Sequence, residues 1–207
     1  MLLADIGNSY FHLYDGVEVK HLSYAEAIKC YASEPLSYIS VNRQIEKEIG
    51  AIEAWKDISA CLSLEGAYET MGVDRKALCL SRKNGLFIDA GSAITVDSVE
   101  EGVYRGGYIF PGIKRMLESY GCISPALKTE LLPQIELGQL PLTTKEQISY
   151  GIIASIKALI DKHGSGKTLY FTGGDGKLLS GFFDHVVYSE TLVFEGMRDA
   201  LKEKRPC

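Results

Sequence analysis

The 207 residues carry 22 Lys and Arg against 27 Asp and Glu, a formal net charge of −5, with no basic run or stripe. That balance argues against nucleic acid as the main partner, because phosphate backbones are bound through clustered cations. The 46% apolar share suits an ordinary globular chain of one large or two small domains, and no apolar run approaches the ~20 residues that cross a bilayer.

In chain order, Leu2-Leu3-Ala4 delivers Asp5 to a small-residue turn, Ile6-Gly7-Asn8-Ser9, and residues 10–14 return as a second strand. A third antiparallel strand over 17–22 follows the Asp15-Gly16 turn. Ser23 caps a helix to about residue 32 with Glu26 in its first turns, Pro35 ends that segment, and 36–41 alternates as a strand. Asn42 is placed to cap a helix over 43–49 that stops at Gly50. Residues 58–64 read as a strand with Trp55 packed beneath it. A loop over 66–75 precedes a helix over 76–82, and Asn84-Gly85 divides a first half, 1–84, from a second, 85–207.

The second half repeats the pattern. An apolar run over 86–88 ends in Asp89, Gly91 turns the chain, 93–96 returns, and a third strand over 103–110 is interrupted at Gly106-Gly107. Helices follow over 113–120 and on to about 132, then a loop over 133–141 and a long helix, capped by Thr143 or Thr144, to about 162. A buried strand over 168–171, a glycine turn over 172–176, a helix over 177–182, a strand over 185–188 and a helix over 192–204 complete the chain. Three antiparallel strands followed by alternating helices, twice, predict an α/β fold class: two duplicated half-domains, each a mixed sheet with helices, and a cleft between them.

The chemistry lies in the two hairpin bends. Asp5 and Asp89 stand 84 positions apart, and Gly7 and Gly91 keep the same offset. A glycine bend admits close approach to a ligand, and successive N–H groups there form an anion-binding concavity. An acid beside phosphate is tolerated when a cation such as Mg²⁺ bridges them. Acid plus turn, twice, therefore reads as a clamp on a metal-bound polyphosphate, with Asn8, Ser9 and Ser92 as short donors. Taken singly, each copy is also ordinary turn chemistry. The Gly164-Ser165-Gly166-Lys167-Thr168 stretch is not a P-loop: Asp161 stands where that motif needs glycine, and the strand and helix come in the wrong order. Five cysteines without C-x-x-C spacing read as reduced thiols, mostly core fillers, and four scattered histidines form no metal pattern.

With these pieces placed, the sequence resembles the type III pantothenate kinases, of the fold shared by acetate and sugar kinases, the heat-shock ATPase domain and actin, built from ribonuclease H-like halves. The likeness rests on Asp5-Ile6-Gly7-Asn8-Ser9, Gly72-Val73-Asp74-Arg75, Asp89-Ala90-Gly91-Ser92-Ala93-Ile94-Thr95-Val96-Asp97, Gly106-Gly107-Tyr108-Ile109-Phe110-Pro111-Gly112, Thr143-Thr144 and Thr172-Gly173-Gly174-Asp175-Gly176, in that order. The resemblance implies ATP phosphates along Asp5, Ile6, Gly7, Asn8, Ser9, Tyr10, Phe11 and His12, with Asp5 nearest Mg²⁺. It implies nucleotide contacts from Ser92, which, like Ser9, replaces a usual Thr, and an adenine turn at Gly173 and Gly174. Asp89 matches a position associated with a monovalent cation, K⁺ or NH₄⁺. Pantothenate would be held by Tyr68, Gly72, Val73, Asp74, Arg75 and Thr144, with Asp74 as the base. Tyr68 stands closer to Gly72 than is usual in the family.

Each of these residues also has a plainer reading. Asp74 could be a helix N-cap, Arg75 a solvated first-turn residue, Tyr68 a packing aromatic, and Thr144, with Gln147 three residues on, a capping-box residue. The expected activity is ATP-dependent phosphorylation of pantothenate to 4′-phosphopantothenate, the first step towards coenzyme A, by a cytoplasmic homodimer free of membrane and nucleic acid. The alternatives are a same-fold kinase for another small alcohol and a non-catalytic regulatory protein on this fold.

Overall fold

The computed structural model of the protein describes residues 1–203. Its first sheet has the order β3-β2-β1-β4-β5, from β1 (Leu2–Ile6), β2 (Phe11–Tyr14), β3 (Val19–Leu22), β4 (Leu36–Ser40) and β5 (Trp55–Asp57). The second has the order β10-β9-β6-β7-β8, from β6 (Gly85–Ala90), β7 (Ala93–Glu100), β8 (Val103–Pro111), β9 (Leu169–Thr172) and β10 (Val186–Tyr188). Read from the hairpin outwards the two orders are the same. In each, the first strand pairs antiparallel with the second and parallel with the fourth.

Period-2 alternation decides what each sheet shows its neighbour. Ala4 and Ile6 of β1 lie in an outer core with Phe11, Leu13, Ala27 and Trp55. Ile88 and Ala90 of β6 lie in the other outer core with Ile152, Ile156 and Phe171. Leu3 and Phe87 point the opposite way and share one central core with Leu78, Phe194 and Met197. Asp5 and Asp89 follow them by two residues, so both acids fall on the faces that meet.

The central core is filled by α3 (Val73–Leu80) and α7 (Leu192–Glu203). These helices touch so closely that a Cβ on Gly196 would overlap the carbonyl of Ala77. The helix at the end of the chain thus returns to pack against the first half. The outer faces are covered by α1 (Tyr24–Tyr31), α2 (Glu46–Ile49), α4 (Ile113–Ile123), α5 (Thr144–Gly164) and α6 (Gly176–Ser180). Among the described residues no helix is long and apolar enough to cross a membrane.

Several boundaries differ from the sequence reading for identifiable reasons. The strand expected over 58–64 is instead β5, with Trp55 on the strand itself and its indole N–H donating to the Tyr31 carbonyl at 2.9 Å. Asp57 ends it, accepting the Ser59 N–H at 2.8 Å; the Ile58 N–H still reaches the Tyr38 carbonyl at 2.9 Å, and Leu62 and Leu64 are buried outside any strand. Asn42 does not cap the next helix; its side chain accepts the Gln44 N–H, and only Glu46–Ile49 is helical. The helical piece expected to reach 132 is a single 3₁₀ turn, Pro125–Leu127. The helix after Gly72 begins three residues early, placing Asp74 and Arg75 in its first turn rather than in a loop. Of the cysteines, Cys79 is a buried thiol, Cys30 and Cys122 are exposed thiols, and Cys61 is buried and disulfide-bonded. Cys207 and the expected helix end at Lys204 lie outside the described residues.

Candidate active site

The two hairpin bends meet. Ser9 Oγ of the first and Ser92 Oγ of the second are 2.9 Å apart, joining residues 83 positions distant in sequence. In the first bend the Gly7 N–H donates to the Tyr10 carbonyl at 3.1 Å. The Gly7 carbonyl accepts the Tyr24 hydroxyl at 2.7 Å and the Asn42 amide at 3.4 Å. In the second bend the Gly91 N–H donates to the Ala93 carbonyl at 3.0 Å and the Gly112 N–H to the Ser92 carbonyl at 3.1 Å.

Neither Gly7 nor Gly91 has positive φ, and a Cβ on either would make only ordinary contacts, at 3.6 and 3.8 Å. The protein's own packing does not require these two glycines. Gly173 is different. Its φ is +85°, and a Cβ there would stand 2.5 Å from Asp89 Oδ1 and 2.6 Å from the Ala90 carbonyl. Gly174 beside it is exposed, with open space around it.

Three acids share this region. Asp5 is held well above the usual carboxylate range by burial first, then by the charges of Asp74 and Asp89, and its Oδ1 is buried with no hydrogen-bond partner. Asp89 is pushed up to about 7 by burial, then by Asp74 and Asp97. Burial also raises Asp74, against the Arg75 backbone N–H that donates to its Oδ1 at 2.7 Å and against the Arg75 charge. Among the described residues no three His, Cys, Asp or Glu side chains make a metal centre by themselves. A cation here would complete its shell with other oxygens, from backbone, hydroxyl, water or ligand.

The other expected residues fall as follows. Ile6 and Phe11 are fully buried in the outer core, so only their backbone is available to a ligand, while Asn8, Ser9 and Tyr10 are exposed. His12 lies directly across from Asp5 in register, its Nδ1 2.6 Å from that of His21. Burial, then His21, lowers it to about 4, so the imidazole is neutral at pH 7. Gly72 is the residue before α3, and a Cβ there would overlap Asp74 Oδ1. Val73 packs against the central core. The Tyr68 hydroxyl accepts from Arg75 Nη1 at 2.6 Å.

Thr144 is exposed at the first residue of α5. The capping box belongs to Thr143 and Glu146, not to Thr144 and Gln147, which leaves the Thr144 hydroxyl uncommitted to the helix. Among the described residues no side-chain hydrogen bond ties it to Tyr68, Asp74 or Arg75.

Two residues without an assigned role in the sequence reading belong to the same face. Asp97, fully buried on β7, receives both Nε and Nη2 of Arg75. Thr95 stands directly opposite Asp89, and its Oγ1 is buried without a partner. The available signal was period 2: Asp97 follows Thr95 by two on a strand whose remaining inward residues are apolar.

A family model described as type III pantothenate kinase matches residues 55–164. A type III pantothenate kinase of Helicobacter hepaticus is 42% identical over 206 residues, spanning 99% of this chain and 100% of that one. A crystal structure from Campylobacter jejuni, described as a conserved Baf family transcriptional activator, is similar at TM-score 0.89 and 33% identity, covering 98% of each chain. MreB 5 of Spiroplasma citri, solved with AMPPNP, is similar at TM-score 0.50 and 11% identity over 98% of this chain and 96% of that one. The last is a likeness of fold alone, and it agrees with the duplicated, actin-like architecture of the two sheets.

Proposed function

This chain belongs to the type III pantothenate kinases, and on that premise we propose that its cleft passes the terminal phosphoryl group of ATP to the primary alcohol of pantothenate. The product is 4′-phosphopantothenate, on the way to coenzyme A. The observation that carries this reading is the 2.9 Å contact of Ser9 with Ser92. It holds two acid-bearing bends together where a polyphosphate and its cation need donors and carboxylates at once.

We assign the ATP phosphates to the bend from Asp5 to His12 and to Ser92, with Gly173 and Gly174 at the adenine, between lobes formed by 1–84 and 85–207. The donors suit cations. Asp5 has an unpartnered buried oxygen, and both Asp5 and Asp89 are held towards the neutral acid by burial first and then by their neighbours' charges. Asp5 would hold Mg²⁺ with the nucleotide's oxygens, and Asp89 a monovalent cation, K⁺ or NH₄⁺. Such ions supply charge neutralisation to the phosphates.

Asp74 accepts the alcohol proton as the new oxygen–phosphorus bond forms and the bond to departing ADP breaks. Its raised pKa makes it a better proton acceptor than a solvated carboxylate. Tyr68, Gly72, Val73, Arg75 and Thr144 line the pantothenate side. A homodimer completes the pocket, and the exposed Ile123, Leu140 and Leu142 are apolar surface suited to that contact. The reaction belongs in the cytoplasm, where ATP is plentiful.

ADP release measured with and without pantothenate, and with a panel of other alcohols, tests the substrate. Asp74→Asn should still bind ATP and lose turnover; a variant that keeps the parental rate removes Asp74 as the base. The description of the Campylobacter structure favours one other reading, a regulatory protein on this fold. Pantothenate-dependent ADP release at enzymatic rates would count against it.

A further inference from the structure

Arg75 is expected at the substrate, yet most of its guanidinium is already engaged. Nε donates to Asp97 Oδ2 at 2.9 Å, Nη2 to Asp97 Oδ1 at 2.5 Å and to the Tyr104 hydroxyl at 3.4 Å, and Nη1 to the Tyr68 hydroxyl at 2.6 Å. A guanidinium has five N–H groups, so one N–H on Nη1 remains. The Tyr68 hydroxyl, used here as an acceptor, retains its own proton to donate. Both donors lie at the Tyr68 end of the cluster, and Tyr68 is 46% exposed while Arg75 is 6% and Asp97 0% exposed.

The bed beneath Asp97 is shaped for a carboxylate. Gly107 is its cross-strand partner, and a Cβ there would overlap Asp97 Oδ1 and stand 3.0 Å from the Tyr104 hydroxyl. A fork held at two points by a buried carboxylate has one orientation left. A free Arg75 in the same place could turn to Asp74, its neighbour in sequence, whose carboxyl its charge already lowers.

We propose that Asp97 is a positioning residue that turns Arg75 so that Nη1, beside the Tyr68 hydroxyl, meets the carboxylate of the acceptor substrate, and that keeps the guanidinium away from the Asp74 base. The inference rests on the pantothenate reading and deepens it. Recognition at this edge is by two aligned donors, because Asp97 already compensates the charge of Arg75. Asp97 itself touches no substrate.

The test is steady-state kinetics of the full chain. Asp97→Asn should raise KM for pantothenate by about tenfold or more, the loss expected when a charge-assisted contact is misaligned, and leave KM for ATP within about twofold. Arg75→Lys added to Asp97→Asn should cost little beyond the larger single effect, since the two act as one unit. A merely structural role would lower the amount of active protein and leave both KM values where they were. Where Asp97→Asn does not fold, Tyr104→Phe, which removes the 3.4 Å contact with Arg75 and the hydroxyl's bond to Asp97, should raise KM for pantothenate by about threefold. Parental KM values in the folded variants overturn the inference while leaving the pantothenate reading intact. A parental chain that phosphorylates no pantothenate overturns both.

Discussion

The two hairpin bends carry the same acid-and-glycine pattern and are built differently. The first is braced from behind by side chains: Tyr24 and Asn42, themselves bonded at 2.9 Å, both reach the Gly7 carbonyl. The second is braced by close-packed glycine backbone, with Gly112 against the carbonyls of Gly91 and Ser92, Gly173 against the Asp89 carboxyl and the Ala90 carbonyl, and the Asp175 N–H on the Ala90 carbonyl at 2.9 Å. The difference teaches that duplication preserves the face an acid must show and leaves the means of holding it free. A side-chain brace fails by losing a hydrogen bond; a glycine brace fails by collision.

The largest effect should come from Asp74, the acid that neither bend supplies. Asp74→Asn is expected to lower kcat by about 10²–10⁴-fold while ATP affinity, read by nucleotide titration, stays parental. That outcome would confine the bends to nucleotide and cation. A matching loss of ATP affinity would mean Asp74 belongs with them.

Next is the glycine brace. Gly173→Ala combines a strained positive φ with a collision at Asp89 and should cost about 1–3 kcal/mol in urea unfolding, with a loss of nucleotide affinity. Gly174→Ala, in open space, should stay within about 0.5 kcal/mol of the parent. Equal effects at the two positions would dissolve the distinction.

The side-chain brace should give less. Tyr24→Phe removes the 2.7 Å bond to Gly7 and the 2.9 Å bond from Asn42 and should cost about 1–2 kcal/mol. The thermal midpoint should fall by a few degrees, without the loss of nucleotide affinity expected of Gly173→Ala.

The electrostatic comparison is read by pH. Asp89 in the fold titrates at about 7 against an ordinary 3.8, so the folded state binds this proton more tightly than the unfolded chain. Its contribution to stability is full below pH 3.8 and is lost as pH rises through 7. A cation bound at Asp89 relieves that loss. K⁺ should therefore raise the melting temperature more at pH 8 than at pH 5.5, and Asp89→Asn should abolish the difference. An equal K⁺ effect at both pH values would take the cation away from Asp89.

Much of this site was legible because its parts are local. An apolar run ending in Asp and followed by glycine is a strand and a bend wherever it occurs, and its recurrence 84 positions later shows in the sequence without coordinates. The Ser23 and Glu26 cap was also legible, and the structure closes it as a capping box. The start of α3 was not, because glycine at 72 and Asp74 suit a loop as well as a first turn; packing of Val73 and Leu78 into the central core settles it. The 58–64 stretch misled for the same reason: burial can keep an apolar run inside without making it a strand.

The sequence by itself determined the order of strands and helices, the repeated acid bends and the residues able to cap, turn and ionise, since each depends on neighbours a few positions away. Tertiary structure alone decided that Ser9 meets Ser92, that Asp97 rather than a substrate holds two arms of Arg75, and that Thr143 rather than Thr144 closes the cap of α5. The first two contacts join residues 83 and 22 positions apart. Such pairings are chosen when two sheets bury their inner faces against shared helices, and no periodicity within either segment encodes which face its partner will present.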